Sequence, residues 1–318
     1  MTTNNETLKI GLAQIAPVWL DKEKTVEKII QFIDKAGKES CDLVVFGEAL
    51  LPGYPFWLAS TGGAKWNDPL QKKIFTHYAD QSVCIEDGEL NNICEAALRN
   101  RTSVYLGMIE RPANRGHSLY CSLVYIDKGG VIQSVHRKLM PTYDERLVWS
   151  IGDGNGLKCH KMGNFTLGGL NCWENWMPLP RTALYAQGED VHIAVWPGSV
   201  RNTEDITKFI AKESRSYVIS VSALMRKENI PVNLPFYNEI IDQMPEEMTD
   251  GGSCVAGPDA EWILSPQVNT EDLFTVEIQS EKIRMERQNF DATGHYSRPD
   301  VLKLRLNSER QQTLDSDD

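Results

Sequence analysis

Four short stretches of this chain are apolar at almost every position: Cys41-Asp-Leu-Val-Val-Phe46, Ser103-Val-Tyr-Leu-Gly-Met-Ile109, Val191-His-Ile-Ala-Val195 and Tyr217–Ala223. They are shorter than buried helices usually are and too uniformly apolar for strands with one wet face. Such runs fit strands covered on both sides, as in sheets with helices packed over them. The segments between them change period. Asp21–Lys35 places Val26, Ile29, Ile30 and Ile33 on one helical face, with Asp21 as N-cap and Gly37 as the stop. Pro69–Asp80, Gly88–Asn100, Leu179–Gln187, Thr203–Ser214 and Ser280–Asn289 read as further helices, the second carrying Leu90, Ile93, Cys94, Ala97 and Leu98 on one side. Leu8–Ile15, Phe165–Leu170 and Leu273–Ile278 are additional strands. Leu119–Asp127 with Val131–His136, and Gly252–Ala256 with Glu261–Leu264, form two hairpins across glycine-containing turns. This alternation predicts an α/β protein in which mixed sheets are packed by helices, without linker or repeat. A single domain is expected over 1–304, followed by a polar, acidic tail over 305–318 that is expected to be disordered.

Composition removes several functional classes. The 318 residues hold 33 Lys plus Arg against 44 Asp plus Glu, a net charge of −11, which disfavours nucleic acid and anionic membrane as partners. Seven cysteines, an odd number with no C-x-x-C pair, argue for a reducing compartment, and a cytoplasmic location is expected. Met1–Thr7 is polar and lacks the apolar core of a signal peptide. No run approaches the ~18 apolar residues of a membrane span. The scattered histidines lack the i, i+4 spacing of a helical metal site, so no metal is expected.

Three apolar strands each run out into a chemically useful residue: Glu48, Lys138 and Cys172. Cys172 follows Phe165-Thr-Leu-Gly-Gly-Leu-Asn171 and precedes a helical pattern that begins near Pro178. A nucleophile at such a turn stands clear of its sheet, with free backbone N–H groups beside it to face an oxyanion. A thiol of ordinary pKa ~8.5 is only a few per cent ionised at neutral pH and needs a base or a positive field. A carboxylate can take its proton, and a fixed ammonium can hold the anion that forms when sulfur attacks an unsaturated carbon. Taken singly, each residue has a plainer reading: a small buried hydrophobe, a solvated strand-end glutamate, a surface lysine. The glycine-rich Ile151–Gly156 has no lysine and Ser/Thr pair after it and reads as a turn, not a phosphate cradle.

The segments FGEALLPGYPFW, HRKLMPTYDERLVWSIGDG and GGLNCWENWMPLPR resemble, in order, three signature blocks of the nitrilase superfamily. VHIAVWPGS and DATGHYSRPDVLKL resemble two further family segments, so the likeness runs from about Ile10 to about Leu304. The resemblance implies a four-layer α-β-β-α sandwich with mixed sheets. It implies Glu48 as general base, Lys138 as stabiliser of the oxyanion, Cys172 as nucleophile and Glu145 as a second, assisting glutamate. Gly47 departs from the proline that many members carry there, and a looser turn is expected. The Cys-Trp-Glu run resembles the nitrile-hydrolysing branch, which implies a thioimidate and then a thioester on Cys172, without cofactor. Tyr54, Thr142, Trp149, Trp173, Trp196 and Pro197 match pocket positions of similar enzymes, although each is equally an ordinary core residue. An aromatic wall would suit an aryl or arylalkyl nitrile. The likeness also implies a homodimer that builds larger homo-oligomers or spirals through His295–Asp300. Alternatives are an amidase or N-carbamoyl-amide hydrolase on the same three residues, a nitrile-hydrating enzyme that releases amide, a non-catalytic assembly module, and a thiol-redox protein.

Overall fold

The structure, a computed structural model, describes residues 6–314. Most of Met1–Thr7 and the last four residues of the tail therefore lie outside the described residues. In chain order the elements are β1 (Thr7–Gln14), α1 (Lys22–Lys38), β2 (Leu43–Phe46), α2 (Trp57–Ser60), α3 (Pro69–Gln81), α4 (Asn91–Asn100), β3 (Ser103–Glu110), β4 (Tyr120–Ile126) and β5 (Ile132–Arg137). They continue as β6 (His160–Met162), β7 (Phe165–Asn171), α5 (Pro178–Tyr185), β8 (Val191–Trp196), α6 (Val200–Ser214), β9 (Tyr217–Ser222) and β10 (Leu224–Arg226). The chain closes with α7 (Tyr237–Ile240), β11 (Glu247–Ala256), β12 (Trp262–Val268), β13 (Asp272–Gln279) and α8 (Ser280–Arg287).

One sheet has the order β13-β1-β2-β3-β4-β5, with β1, β2 and β3 parallel and the rest antiparallel. The other has the order β10-β11-β9-β8-β7-β6, with β12 on β11 and a parallel centre of β7, β8 and β9. The uniformly apolar runs supply these parallel centres, because both faces of each are covered. Leu43 and Val45 of β2 face Ile193 and Val195 of β8 and Ile219 and Val221 of β9 in the core between the sheets. Their alternates, Val44 and Phe46, pack outward with Ile29 and Ile33 of α1 and Ile93 of α4. On the far side, Ala194, Trp196 and Val218 pack against Ile206 and Ile210 of α6. The result is a single four-layer α-β-β-α sandwich. Among the described residues no helix is long and apolar enough to cross a membrane.

Several local readings need correction. Asp21 does cap α1, its carboxylate accepting from the Lys24 N–H at 3.1 Å. Gly37, however, lies inside α1 and Glu39 is its C-cap; the turn to positive φ comes only at Ser40. Leu98 is 56% exposed, because the buried face of α4 is Ile93, Ala96 and Ala97, and position 98 falls on its flank. The short strands β6 and β10 carry too few residues for a periodic signal. The segment from 305 contacts the glycine-rich loop and its surroundings as far as Thr313. Arg310 donates to Asp153 and to the Val135 carbonyl, Gln311 to Asp153 and the Gly152 carbonyl, and Arg115 to the Thr313 hydroxyl. Its composition is that of a free tail, but its polar groups satisfy the glycine-rich loop.

The two sheets meet at the carboxyl end of β2. Glu48 N–H donates to the Trp196 carbonyl at 3.1 Å, across from one sheet to the other. A Cβ on Gly47 would lie 2.8 Å from the Ala223 nitrogen and 3.0 Å from the Trp196 oxygen. Gly47 therefore tightens this corner rather than loosening it: it lets two backbones touch. Gly107 of β3 does the same from beneath, where a Cβ would lie 2.2 Å from the Gly47 oxygen and 2.6 Å from the Glu48 Cα. Gly107→Ala is expected to push Glu48 off its corner, costing about 1–3 kcal/mol of stability and a larger share of activity. Thermal melts beside turnover check this; a variant with unchanged Tm and full activity would show that the corner has slack.

Candidate active site

Cys172 begins a tight 3-10 turn, Cys172–Trp176, directly after β7 and takes φ +46°. A left-handed backbone at a residue with a Cβ costs roughly 1–3 kcal/mol and needs support around it. Part of that support is Asn175, whose side-chain N–H donates to the Cys172 carbonyl at 2.8 Å. The Asn175 side-chain oxygen Oδ1 lies 2.7 Å from His192 Nε2, and Glu189 holds the other nitrogen of that ring at 3.0 Å. All three side chains are buried under the turn.

Lys138 stands one residue beyond β5. Its backbone N–H still pairs across to the Cys121 carbonyl at 2.7 Å, and its own carbonyl accepts from Gly152 at 2.9 Å. Arg137 before it is locked by a two-pronged pair with Glu110 at 2.8 and 2.6 Å. The strand end is thus fixed and the Lys138 side chain is driven inward, to 1% exposure. An isolated buried ammonium costs several kcal/mol. Here Nζ lies 2.8 Å from Glu48 Oε1 and 2.7 Å from Glu145 Oε2. Burial acts to lower its pKa, but Glu48, then Cys172 and Glu145, more than offset this and hold it well above the ordinary lysine value.

The two carboxylates differ in what they have left to give. Glu145 belongs to the 3-10 turn Tyr143–Leu147; its Oε2 also accepts from the Thr142 N–H at 2.5 Å, and its Oε1 from the Tyr54 hydroxyl at 2.8 Å. Both its oxygens are engaged. Glu48 shares Oε1 between Lys138 and the Cys121 thiol, 3.5 Å away, while its buried Oε2 makes no hydrogen bond among the described residues. The Cys172 sulfur and one oxygen from each glutamate all lie within 4.8 Å of one another. That trio could ligate a metal by type, but the Lys138 ammonium already sits between the carboxylates where a cation would go. Glu48 is the carboxylate with an acceptor free for the thiol proton.

Electrostatics sets the resting state. Burial raises Glu48 to about 7; Lys138 opposes that rise and Glu145 adds to it. Burial, then the negative charge of Glu48, pushes the Cys172 thiol well above its ordinary value, although Lys138 and the Trp173 N–H pull it down. At neutral pH the sulfur is therefore protonated at rest.

Of the other expected pocket residues, Tyr54 and Trp149 meet edge to face at 5.5 Å, and Lys138 Nζ lies 5.5 Å from the Trp149 ring centre. Thr142 joins through its backbone. Trp196 and Pro197 are buried, Trp196 packing behind Cys172. Trp173 is 54% exposed, so its contribution inside the site is its N–H. Sequence reasoning missed Cys121, which the pairing of β4 with β3, the neighbour of β2, brings to Glu48. It also missed Tyr78, whose hydroxyl accepts from the Trp149 indole at 3.1 Å and which reads in α3 as an ordinary core position.

Comparison with known proteins gives the family. Residues 9–288 match the model of the carbon-nitrogen hydrolase family, and the chain belongs to that family. It is a hydrolase acting on carbon–nitrogen bonds, and its curated relatives put it in the nitrilase branch. It is 35% identical to a protein named Nitrilase 2 from an unknown prokaryotic organism, over 95% of this chain and 93% of that one. It is 31% identical to an aliphatic nitrilase of Rhodococcus rhodochrous, over 95% and 79%. A carbon-nitrogen hydrolase from Helicobacter pylori G27 shares the fold at TM-score 0.72 and 18% identity, over 93% of this chain and 97% of that one.

A carboxyl raised to about 7 gives a test by pH profile. If Glu48 takes the thiol proton, turnover needs it ionised, and kcat/KM is then expected to fall toward tenfold per pH unit below about 7 and to level off above it. A profile flat from about pH 5.5 to 7.5 would show that Glu48 is not the group that takes the proton.

Proposed function

We propose that this chain hydrolyses an organic nitrile to a carboxylic acid and ammonia, with Cys172 as nucleophile, Glu48 as general base, and Lys138, held by Glu145, as stabiliser of developing negative charge. The observation that carries the reading is the Glu48 carboxylate near the Cys172 sulfur, one of its oxygens free of hydrogen bonds among the described residues, with the Lys138 ammonium fixed between two carboxylates. The nitrilase-named relatives support the choice of a nitrile.

As sulfur adds to the nitrile carbon, its proton passes to Glu48 and on to nitrogen, leaving a neutral thioimidate. Water, deprotonated by Glu48, adds to the same carbon. The tetrahedral intermediate expels ammonia to give a thioester, and a second water releases the acid and restores the thiol. Two waters are consumed for each acid and ammonia formed. If the intermediate expels sulfur instead, an amide leaves. Lys138 and the Trp173 N–H face the negative charge in each addition step. No cofactor enters this scheme.

Tyr54 and Trp149, beside the lysine, support an aryl or arylalkyl nitrile, since ring stacking adds about 0.5–1.5 kcal/mol beyond area burial. The Rhodococcus relative favours a second reading, an aliphatic nitrile. The test gives the enzyme phenylacetonitrile, a short aliphatic nitrile, phenylacetamide and an N-carbamoyl amino acid, with intact mass after rapid quench. Acid and ammonia from a nitrile, with an adduct on Cys172 that Cys172→Ala abolishes, is the expected outcome. Turnover of the amide or carbamoyl compound alone would assign the chain to a sister activity. Lys138→Gln is expected to lose at least about 3 kcal/mol of transition-state stabilisation, a hundredfold or more in rate; a variant within a few-fold of wild type would remove the lysine from the scheme.

The homo-oligomer expected from the resemblance is also a proposal. The exposed side chains of Tyr296, Val301 and Leu302, in and just beyond His295–Asp300, support it. Light scattering is expected to report a dimer or larger, and a fully active 35.9 kDa monomer would contradict it.

A further inference from the structure

Glu174 is the largest feature of the site that the proposed mechanism does not use. It is 1% exposed, and its carboxylate gathers three N–H donors from two sheets. From the β7 side it accepts the N–H of Asn171, the residue before Cys172, at 2.9 Å. From the β5 side it accepts the N–H of Leu139, the residue after Lys138, at 2.7 Å. Both its oxygens lie 3.1 Å from Nε2 of His136, two residues before Lys138. Burial pushes this carboxyl up, but His136 and the two backbone N–H groups outweigh it and hold Glu174 below the ordinary glutamate value. It is an anion at working pH, with donors on every side.

We propose that Glu174 is a positioning residue that sets the distance between Lys138 and Cys172, by clamping the chain on either side of Lys138 to the chain entering Cys172. The two residues stand at the ends of strands in different sheets, and Glu174 bridges those ends one residue from each. The clamp also opposes the strain at Cys172, since it fixes the entry to the left-handed turn while Asn175 fixes the exit. This inference rests on the nucleophile and lysine roles given above, not on the identity of the substrate.

Glutamine cannot replace Glu174. It offers one acceptor oxygen where three donors converge, so its NH2 must face another N–H. Aspartate keeps the acceptors but is one methylene short. The experiment is a double-mutant cycle of Glu174→Gln and Lys138→Gln, with Glu174→Asp as the gentler variant. It uses whichever compound of the panel above the wild-type enzyme hydrolyses, so failure of the nitrile reading leaves it measurable. Rates are taken per Cys172 able to form an adduct, which removes unfolded protein from the comparison. Glu174→Gln is expected to lower kcat about thirtyfold or more, with KM changed less than about threefold, and to raise the amide share of the product where a nitrile is the substrate. In the Lys138→Gln background the same change is expected to cost less than about threefold, because the placement it protects no longer matters. Glu174→Asp should recover most of the rate, and it carries the cycle if the glutamine variant does not fold. Effects that multiply independently, or a rate per adduct-forming Cys172 equal to wild type, would reduce Glu174 to a fold-stabilising residue and overturn the proposal.

Discussion

A single buried ammonium organises this molecule. Lys138 could not remain charged where it is unless carboxylates were brought to it, and the chain brings two, from elements that share no local sequence. Glu48 arrives on the corner where β2 leaves one sheet and touches the other. Glu145 arrives on a 3-10 turn braced by the Thr142 N–H and the Tyr54 hydroxyl. Each partner is costly to lose, because removing one carboxylate leaves an under-compensated buried charge. The sheets, their helical covers and the aromatic roof over Trp149 can be read as the framework that holds this convergence.

The same convergence explains where the backbone is strained. Ala49, Tyr143 and Cys172 all take positive φ, at 50°, 44° and 46°. They stand beside Glu48, just before Glu145, and at the candidate nucleophile itself. None is glycine, so each conformation costs energy that the surroundings must supply. A strand that continued straight would carry its side chain along the sheet. A left-handed corner turns the chain within one residue and aims the side chain off the end. Buried hydrogen bonds at these corners, such as Glu48 N–H to the Trp196 carbonyl, keep the corners from relaxing.

Much of this was legible from sequence because it is local. The apolar runs announce covered parallel strands, and Asp21 announces the start of α1. Thr142-x-x-Glu145 and Asn171-x-x-Glu174 both carry the spacing by which a glutamate reaches back to the backbone N–H that opens a turn, a signal available without any structure. The rest depends on contacts across the fold. Nothing near Cys121 says that its thiol will donate to Glu48, since that follows from the pairing of β2 with β3 and of β3 with β4. Gly47 read as a loosened turn because its neighbours in sequence are not its neighbours in space; Ala223 and Trp196 are. The contacts of the segment after 305 were not legible either, because its acceptors, Asp153 and the Val135 and Gly152 carbonyls, lie more than a hundred residues earlier.

Charge also constrains what can bind. With Glu48 and Glu145 ionised and Lys138 protonated, the buried group carries one net negative charge. In the proposed reaction the thiol proton moves to Glu48 and then to nitrogen, so that charge does not change as the thioimidate forms. A neutral nitrile enters and neutral ammonia leaves without altering it. A thiolate formed in advance would place a second negative charge in the same water-poor space, which is why burial and the glutamates keep Cys172 protonated. The acid product is different: once ionised, it sets a third carboxylate against the first two, with a single ammonium among them. Repulsion then favours its departure, whereas an amide released by the side path stays neutral and gains no such push. The electrostatics that delays the nucleophile until substrate is present is therefore also suited to clearing the carboxylate product.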